Sequence, residues 1–199
     1  IGELFLKAAF RFATERACEH IFTHTDAQEH DYLVRLLEDF GFVQMGVYGN
    51  DTVLVKAHPR IAPETPELAP FEYARRYFPH CLMGEEIQKF IVPIRPQYHD
   101  TLLPDYHPHQ SRLFGVENSA GNAIKLAYLC HAQTNSVRPG DILLFYRTVD
   151  EKALTSIGVV EDFIASQDAA AIARLVSRRT VYSREDIEEM AASPTKVIL

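Results

Sequence analysis

Residues Val137 to Glu161 constrain the fold more than any other stretch of the chain. Arg138-Pro139-Gly140-Asp141 is turn chemistry: Pro presets φ, Gly takes a positive φ, and Asp bonds its own backbone. Ile142 to Tyr146 is an unbroken apolar run of strand length, too short for most helices. Thr148 to Ala153 is polar and turn-like, and Leu154 to Val160 is a second strand with Gly158 inside it. An interior strand Gly marks a bulge or a close backbone approach. A two-stranded hairpin is marginal by itself, so the pair predicts a barrel or sandwich around it.

These residues carry a resemblance. Gly140-Asp141, a strand ending in Phe145-Tyr146, a polar connection and Ile157-Gly158-Val159-Val160-Glu161 resemble the PUA-like barrels, specifically the ASCH and EVE branches. The similarity runs upstream through Asn122-Ala123-Ile124-Lys125 and downstream to Leu199, covering roughly Phe90 to Leu199. The resemblance implies a small pseudo-barrel that binds RNA or a modified base.

Composition narrows the partners. The chain has 199 residues, 47% of them hydrophobic and 24% charged, enough for one large or two small soluble domains. Up to Pro70 it carries six basic and eleven acidic residues; from Gly84 on, twelve basic and fifteen acidic. A duplex-binding protein needs a basic face, so a long nucleic-acid groove is disfavoured, whereas a pocket for one base or nucleotide is not. No apolar run reaches the ~18 residues of a membrane span, and Lys7 and Arg11 interrupt Phe5 to Phe12, so that stretch is not expected to be a signal peptide. Cys18, Cys81 and Cys130 lack motif spacing, so free thiols and a cytoplasmic location are expected.

The first third alternates element types. Leu4, Phe5, Ala8, Ala9 and Phe12 predict an amphipathic helix with no capping residue ahead of it, which reads as a fragment of a longer chain. Ile21 to Thr25 is a strand. Asp26 and Glu29 form a capping arrangement for a helix burying Tyr32, Leu33, Leu36, Leu37 and Phe40, stopped by Gly41. Phe42 to Tyr48, a Gly49-Asn50-Asp51 turn and Thr52 to Ala57 predict a hairpin.

That order, with Gly41-Phe42 after the second helix, is similar to the back half of a GNAT-type N-acetyltransferase, over Ile1 to about Lys56. In that family a Gly-x-Gly loop before the long helix offers backbone N–H groups to the pyrophosphate of acetyl-CoA. Ile1-Gly2-Glu3-Leu4 resembles the end of such a loop, so the resemblance makes Ile1 and Gly2 remnant acetyl-CoA contacts. The family's Tyr before the Gly-Phe is replaced by Leu36-Leu37, and its helix Asn aligns with His30. The resemblance places the acyl-acceptor cleft near His24, Asp26 and His30, with His24 the candidate base. A shortened half-sheet would leave an edge and an apolar face to be covered by a missing N-terminal half-domain or a second copy.

Residues 58–83, with Pro59, Pro63, Pro66 and Pro70, predict a linker plus a short helix at Phe71 to Phe78 carrying Arg75 and Arg76. Phe90 to Ile94 is a strand, Arg95 to Gln110 a Pro-rich loop, and Leu113 to Val116 a strand. Asn122 to Cys130 is helical, with Tyr128 and His131 near one face. Asp168 to Arg178 is an Ala-rich helix, and Ser183 with Asp186 caps the last one.

Several constellations carry chemistry. Asn122, Lys125, Tyr128, Tyr146 and Arg147 flank the expected pocket: a base would stack on a tyrosine, with basic groups at its phosphate. The plainer reading makes Tyr128 and Tyr146 core aromatics with hydroxyls at the surface. Arg178, Arg179, Tyr182 and Arg184 interleave basic and aromatic groups, as a phosphate clamp or as a solvated helix end. His99, His107 and His109, with His80 and Cys81 upstream, lack the ligand set of a zinc site. Cys130 and His131 are adjacent and point apart on a helix; Asp31, Glu38 and Asp39 are a solvent face.

The expected architecture is α+β. Residues 1–57 are the C-terminal part of a GNAT-like α/β unit, 58–83 the linker with its helix, and 84–199 a PUA-like barrel with flanking helices. The parent is expected to be an acetyl-CoA-dependent N-acetyltransferase carrying an RNA- or nucleotide-binding barrel, with this chain alone inactive. The alternatives are a non-catalytic module that binds RNA, a modified base or a small effector, and a protein–protein adaptor built on the half-sheet.

Overall fold

A computed structural model describes residues 2–64, 67–103, 106, 124–176 and 179–199. The chain divides into two compact units, 1–87 and 88–199.

The first unit contains α1 (Gly2–Glu15), β1 (His20–Asp26), α2 (Asp31–Asp39), β2 (Val43–Tyr48), β3 (Asp51–Ala57) and α3 (Pro70–Tyr77). The strands form an antiparallel sheet in the order β1-β3-β2, with Tyr48 opposite Asp51 at the expected hairpin turn. Gly41 stops α2 at φ +83°, and a Cβ there would run into the Arg75 carbonyl. Asp26 does not cap α2; its carboxylate accepts from Gln28 N and Glu29 N in a turn ahead of the helix.

The apolar stripe of α1 is not the expected one. Leu6, Phe10 and Ala13 are buried, whereas Leu4, Phe5 and Phe12 are 48%, 71% and 56% exposed. The helix is apolar on two sides, and the aromatic that finds partners decides which turns inward. Phe10 packs on Phe42 and Phe78, with ring centroids 6.4 and 5.6 Å away. The sheet is likewise covered on one face. Leu54 and Lys56 are fully buried, while Phe22, Val43 and Tyr48, which share the other face by register, are 73%, 40% and 75% exposed.

The described part of residues 58–83 folds into this unit instead of forming an extended tether. Tyr73, 1% exposed, donates its hydroxyl to Pro63 O, and His80 Nε2 donates to Pro59 O. Lys56 Nζ donates to Arg75 O at 2.7 Å and Arg76 O at 2.9 Å, closing the end of α3.

The second unit contains β4 (Lys89–Ile94), α4 (Pro96–Leu102), β5 (Tyr128–Cys130), β6 (Ile142–Arg147), β7 (Ala153–Val159), β8 (Phe163–Ser166), α5 (Ala169–Val176), α6 (Arg184–Met190) and β9 (Thr195–Ile198). One sheet runs β4-β6-β7, with β4 parallel and β7 antiparallel to β6; the other runs β5-β9-β8, all antiparallel. Among the described residues no closed barrel forms. Val92, Ile94, Leu143, Phe145, Val160 and Ile198 build one core, and Leu129, Ile172, Val176, Ile187 and Val197 a second beneath α5 and α6.

The Arg138–Asp141 turn staples this unit. Gly140 has φ +91° and its N–H donates to Val160 O. Buried Asp141 accepts from Arg138 N at 2.7 Å and from Gln88 N at 3.2 Å. The turn therefore joins the starts of β4 and β6 to the end of β7.

Three local expectations change. The β6–β7 bulge sits at Thr155, between the pairs Phe145↔Ser156 and Tyr146↔Leu154, not at Gly158. Gly158 instead lies against the Phe145 ring. The expected helix 122–130 is strand β5 over Tyr128–Cys130, because Leu129 pairs with Val197 in the buried sheet. Within the expected 95–110 loop, Pro96 opens α4, where its fixed φ suits a first helical turn. Ser183 and Asp186 form the expected capping box of α6. The expected strand 113–116 lies outside the described residues.

Candidate ligand-binding site

A concave cavity of about 180 Å³ opens in the second unit, lined by Arg95, Tyr98, Leu102, Tyr128, Val181 and Tyr182 among others. Three segments build it. The β4–α4 junction brings Arg95; α4 brings Tyr98 and Leu102, four residues apart and so on one face of the helix; β5 and the approach to α6 bring Tyr128 and Tyr182. The Tyr98 and Tyr182 rings lie 5.9 Å apart at 35°. Tyr182 donates its hydroxyl to Leu129 O at 3.3 Å, which fixes one wall. Tyr128 meets Phe145 edge-on at 6.3 Å, and burial pushes its phenol up to about 12, so it stays a neutral hydroxyl. Arg95 is exposed, and among the described residues no ion pair or hydrogen bond holds its guanidinium. A shallower groove of about 280 Å³ shares Tyr182 and adds His131, Asp186, Glu189 and Met190.

The expected pocket residues separate. Tyr128 lines the cavity. Tyr146 is half-buried on the other face of β6 from Phe145, opposite Leu154 and Pro93, and does not line it. Lys125 Nζ pairs with Glu161 at 2.7 Å. Asn122 lies outside the described residues.

Arg147 is framework rather than a presented cation. It is 5% exposed and forks onto Asp150 at 3.0 and 2.7 Å, contacts Asp100, and lies 3.5 Å from Glu151. These hydrogen bonds push the guanidinium's pKa up, and they hold the Asp150 carboxyl at about 2 and that of Asp100 below the usual range. Arg147 also reaches His99 Nδ1 at 2.9 Å.

The other candidates are dispersed. Arg184 pairs with Glu188, Arg178 lies outside the described residues, and among the described members of that cluster only Tyr182 lines the cavity. His99 is buried beside Arg147, His80 is bonded to a carbonyl, and His107 and His109 lie outside the described residues. Among the described residues no group of three potential metal ligands converges. His131 Nε2 lies 2.9 Å from Met190 O and 3.1 Å from Thr195 Oγ1, not on Cys130. Asp31 pairs with Arg35 within α2.

In the first unit, Gly2 sits against α2: a Cβ there would fall 2.6 Å from Leu36 Cδ2, so close helix packing accounts for the glycine. Ile1 lies outside the described residues. His24 Nδ1 lies 2.5 Å from Asp51 Oδ2. A carboxylate only accepts, so Nδ1 carries the hydrogen of this contact.

Sequence reasoning missed Tyr98 and Arg95. Their signal was Pro96: a proline suited to open a helix would have turned Arg95 to Leu102 from loop into an ordered wall.

No protein family and no curated protein matches the chain. Among solved structures it is similar to a mutant form of the ZmASCH protein from Zymomonas mobilis, at 9% identity, TM-score 0.41, over 57% of this chain and 68% of that one. No match bears on the acetyltransferase resemblance of residues 1–57. Among the described residues no helix is long and apolar enough to cross a membrane.

Proposed function

We propose that the second unit is a binding module that holds one nucleobase-type ring, of a nucleotide or an RNA segment, among Tyr98, Tyr128 and Tyr182, with Arg95 at its phosphate. The observation that carries this reading is the cavity itself: about 180 Å³, walled by three tyrosines, with an exposed guanidinium at its edge that has no partner among the described residues. Pockets for drug-sized ligands run to roughly 300–1,000 Å³, so this one suits a single planar ring. Tyrosine faces supply stacking worth roughly 1–3 kcal/mol per base. The slightly acidic balance of this half favours one contact over a long polyanion track. Calorimetry with the four nucleoside monophosphates and their nucleosides tests it. Tyr182→Ala is expected to weaken binding on the order of 5- to 150-fold, and Arg95→Ala to erase the advantage of nucleotide over nucleoside. Absence of binding by the unmutated chain at millimolar ligand refutes the reading.

A second reading, for the first unit, is favoured by the His24–Asp51 pair. Asp51 would hold His24 as the tautomer whose Nε2 takes a proton from an acceptor amine attacking acetyl-CoA. NMR of the His24 ring tests the pair: Asp51→Asn is expected to change the Nδ1–H signal, and a His24 ring that does not respond to Asp51→Asn removes the reading.

A further inference from the structure

We propose that His99 and Arg147 are positioning residues that fix α4 against the β6–β7 turn, thereby placing Tyr98 and Arg95, and that ligand binding is consequently coupled to the protonation of His99. The inference rests on the pocket reading above and adds its regulation.

Helix geometry links the two sides. Tyr98 and Leu102 face the cavity, while His99, the next residue round the helix, is fully buried on another side. His99 Nε2 lies 2.7 Å from Thr155 Oγ1, and the Thr155 hydroxyl donates to Phe145 O at 3.2 Å. The hydroxyl hydrogen is spent there, so the oxygen must accept and Nε2 must carry the imidazole hydrogen. Nδ1 is then a bare lone pair, and the group it meets at 2.9 Å, Arg147, only donates. The hydrogen inventory therefore fixes the neutral Nε2–H tautomer. The bulge explains why Thr155 takes part: the extra residue of β7 is turned out of the ladder toward α4.

A proton on Nδ1 would set N–H against N–H. From α4, Asp100 Oδ1 lies 3.7 Å from Nδ1 and is itself held by Arg147. From β6 comes Arg147; from β7, Thr155; from the turn, Asp150 and Glu151, which Arg147 also engages; and the Tyr106 ring stands edge-on at 5.0 Å. Burial first and Arg147 second hold the imidazole below the ordinary histidine range, against Asp100 and Glu151. Protonation thus breaks the Arg147–His99 bond, leaves the Arg147–Asp100 contact to hold α4 to the end of β6, and shifts Tyr98 and Arg95 relative to the other two tyrosines.

The test uses the full chain and a dinucleotide monophosphate, whose phosphodiester does not titrate between pH 7.5 and 5. Affinity is expected to fall toward the acid end of that range, with a midpoint below that of an ordinary histidine. The ring resonance of Tyr98, followed by NMR without ligand, should move with the same midpoint. His99→Ala should lower affinity at pH 7.5; His99→Asn, whose carbonyl can accept from Arg147, should restore most of it and abolish the pH dependence. Asp100→Asn, at a more exposed position, should shift the Tyr98 midpoint to lower pH. Binding that stays flat with pH, a Tyr98 signal that ignores it, or a midpoint unmoved or raised in Asp100→Asn overturns the inference. A Tyr98 signal that follows His99 in a chain binding no dinucleotide leaves the positioning role standing and removes the ligand.

Discussion

Lys56 offers the sharpest energetic test of the first unit. Its side chain is fully buried on β3, and its Nζ donates to Arg75 O and Arg76 O. Two acceptors match the two N–H bonds of a neutral amine, so the neutral form is fully satisfied in place. Burial, then the charges of Arg75 and Arg76, bring its pKa from 10.5 down to about 7. The sign follows from proton counting. Between pH 7 and 10.5 the unfolded chain keeps this proton and the folded chain loses it, so stability rises with pH. The gain is complete above 10.5 and is lost as pH falls to about 7. At about 1.36 kcal/mol per unit the full span is roughly 5 kcal/mol, and the part between pH 7 and 9 is about 2 kcal/mol. Lys56→Met removes the term whatever its effect on stability at any single pH. Hydrogen exchange of peptides spanning β3 and α3, corrected for intrinsic rates, reads the first unit separately from the second. The unmutated chain is expected to gain about 2 kcal/mol of protection from pH 7 to 9, and Lys56→Met almost none. Cys81 and Tyr73, held protonated by burial, contribute with the opposite sign near their own ranges; both proteins share them, so they cancel in the difference. Equal slopes for the two proteins would refute a buried, near-neutral Lys56.

Other perturbations have signed outcomes. Asp141→Ala strips acceptors from Arg138 N and Gln88 N where three strands meet, and should destabilise the second unit by about 2–4 kcal/mol in a urea melt. Val149 is a β-branched residue at φ +72° in an exposed turn, so Val149→Gly should raise the melting temperature, with a gain of about 1–2 kcal/mol. Phe22, 73% exposed on the open sheet face, should tolerate Ser within about 0.5 kcal/mol. A larger loss, together with dimer mass in sedimentation, would mean that a second copy covers that face.

Local chemistry was legible and long-range competition was not. The Gly140-Asp141 turn, the Gly49-Asn50 hairpin and the Ser183 capping box were readable because each is settled within four residues. The α1 stripe was misread because Phe5 and Phe10 are equally apolar in sequence, and only contact with Phe42 and Phe78 separates them. The short apolar spacing before Cys130 suits either period, and the deciding partner, β9, lies some sixty residues on. The prolines of 58–70 suggested a tether, yet a proline's carbonyl still accepts, and Pro59 and Pro63 accept from His80 and Tyr73.

Arg147 and Arg95 show what separates a ligand group from framework. In sequence each is an arginine at a strand end, and Arg147 lies beside a tyrosine, which favoured it. What differs is the carboxylate supply: Asp150 and Glu151 follow Arg147 by three and four residues, and Asp100 reaches it from α4. A guanidinium ringed by three acids has no fork left for a phosphate, and withdrawing it would leave three neighbouring carboxylates without their shared cation. Arg95 is followed by Pro96 and has no acid within the next four residues, so its charge stays available at the cavity. The charge balance of the second half works the same way. Its excess of acids is spent partly on neutralising its own buried base, which leaves the tyrosine-lined cavity with exposed Arg95 at the edge where a phosphate would sit.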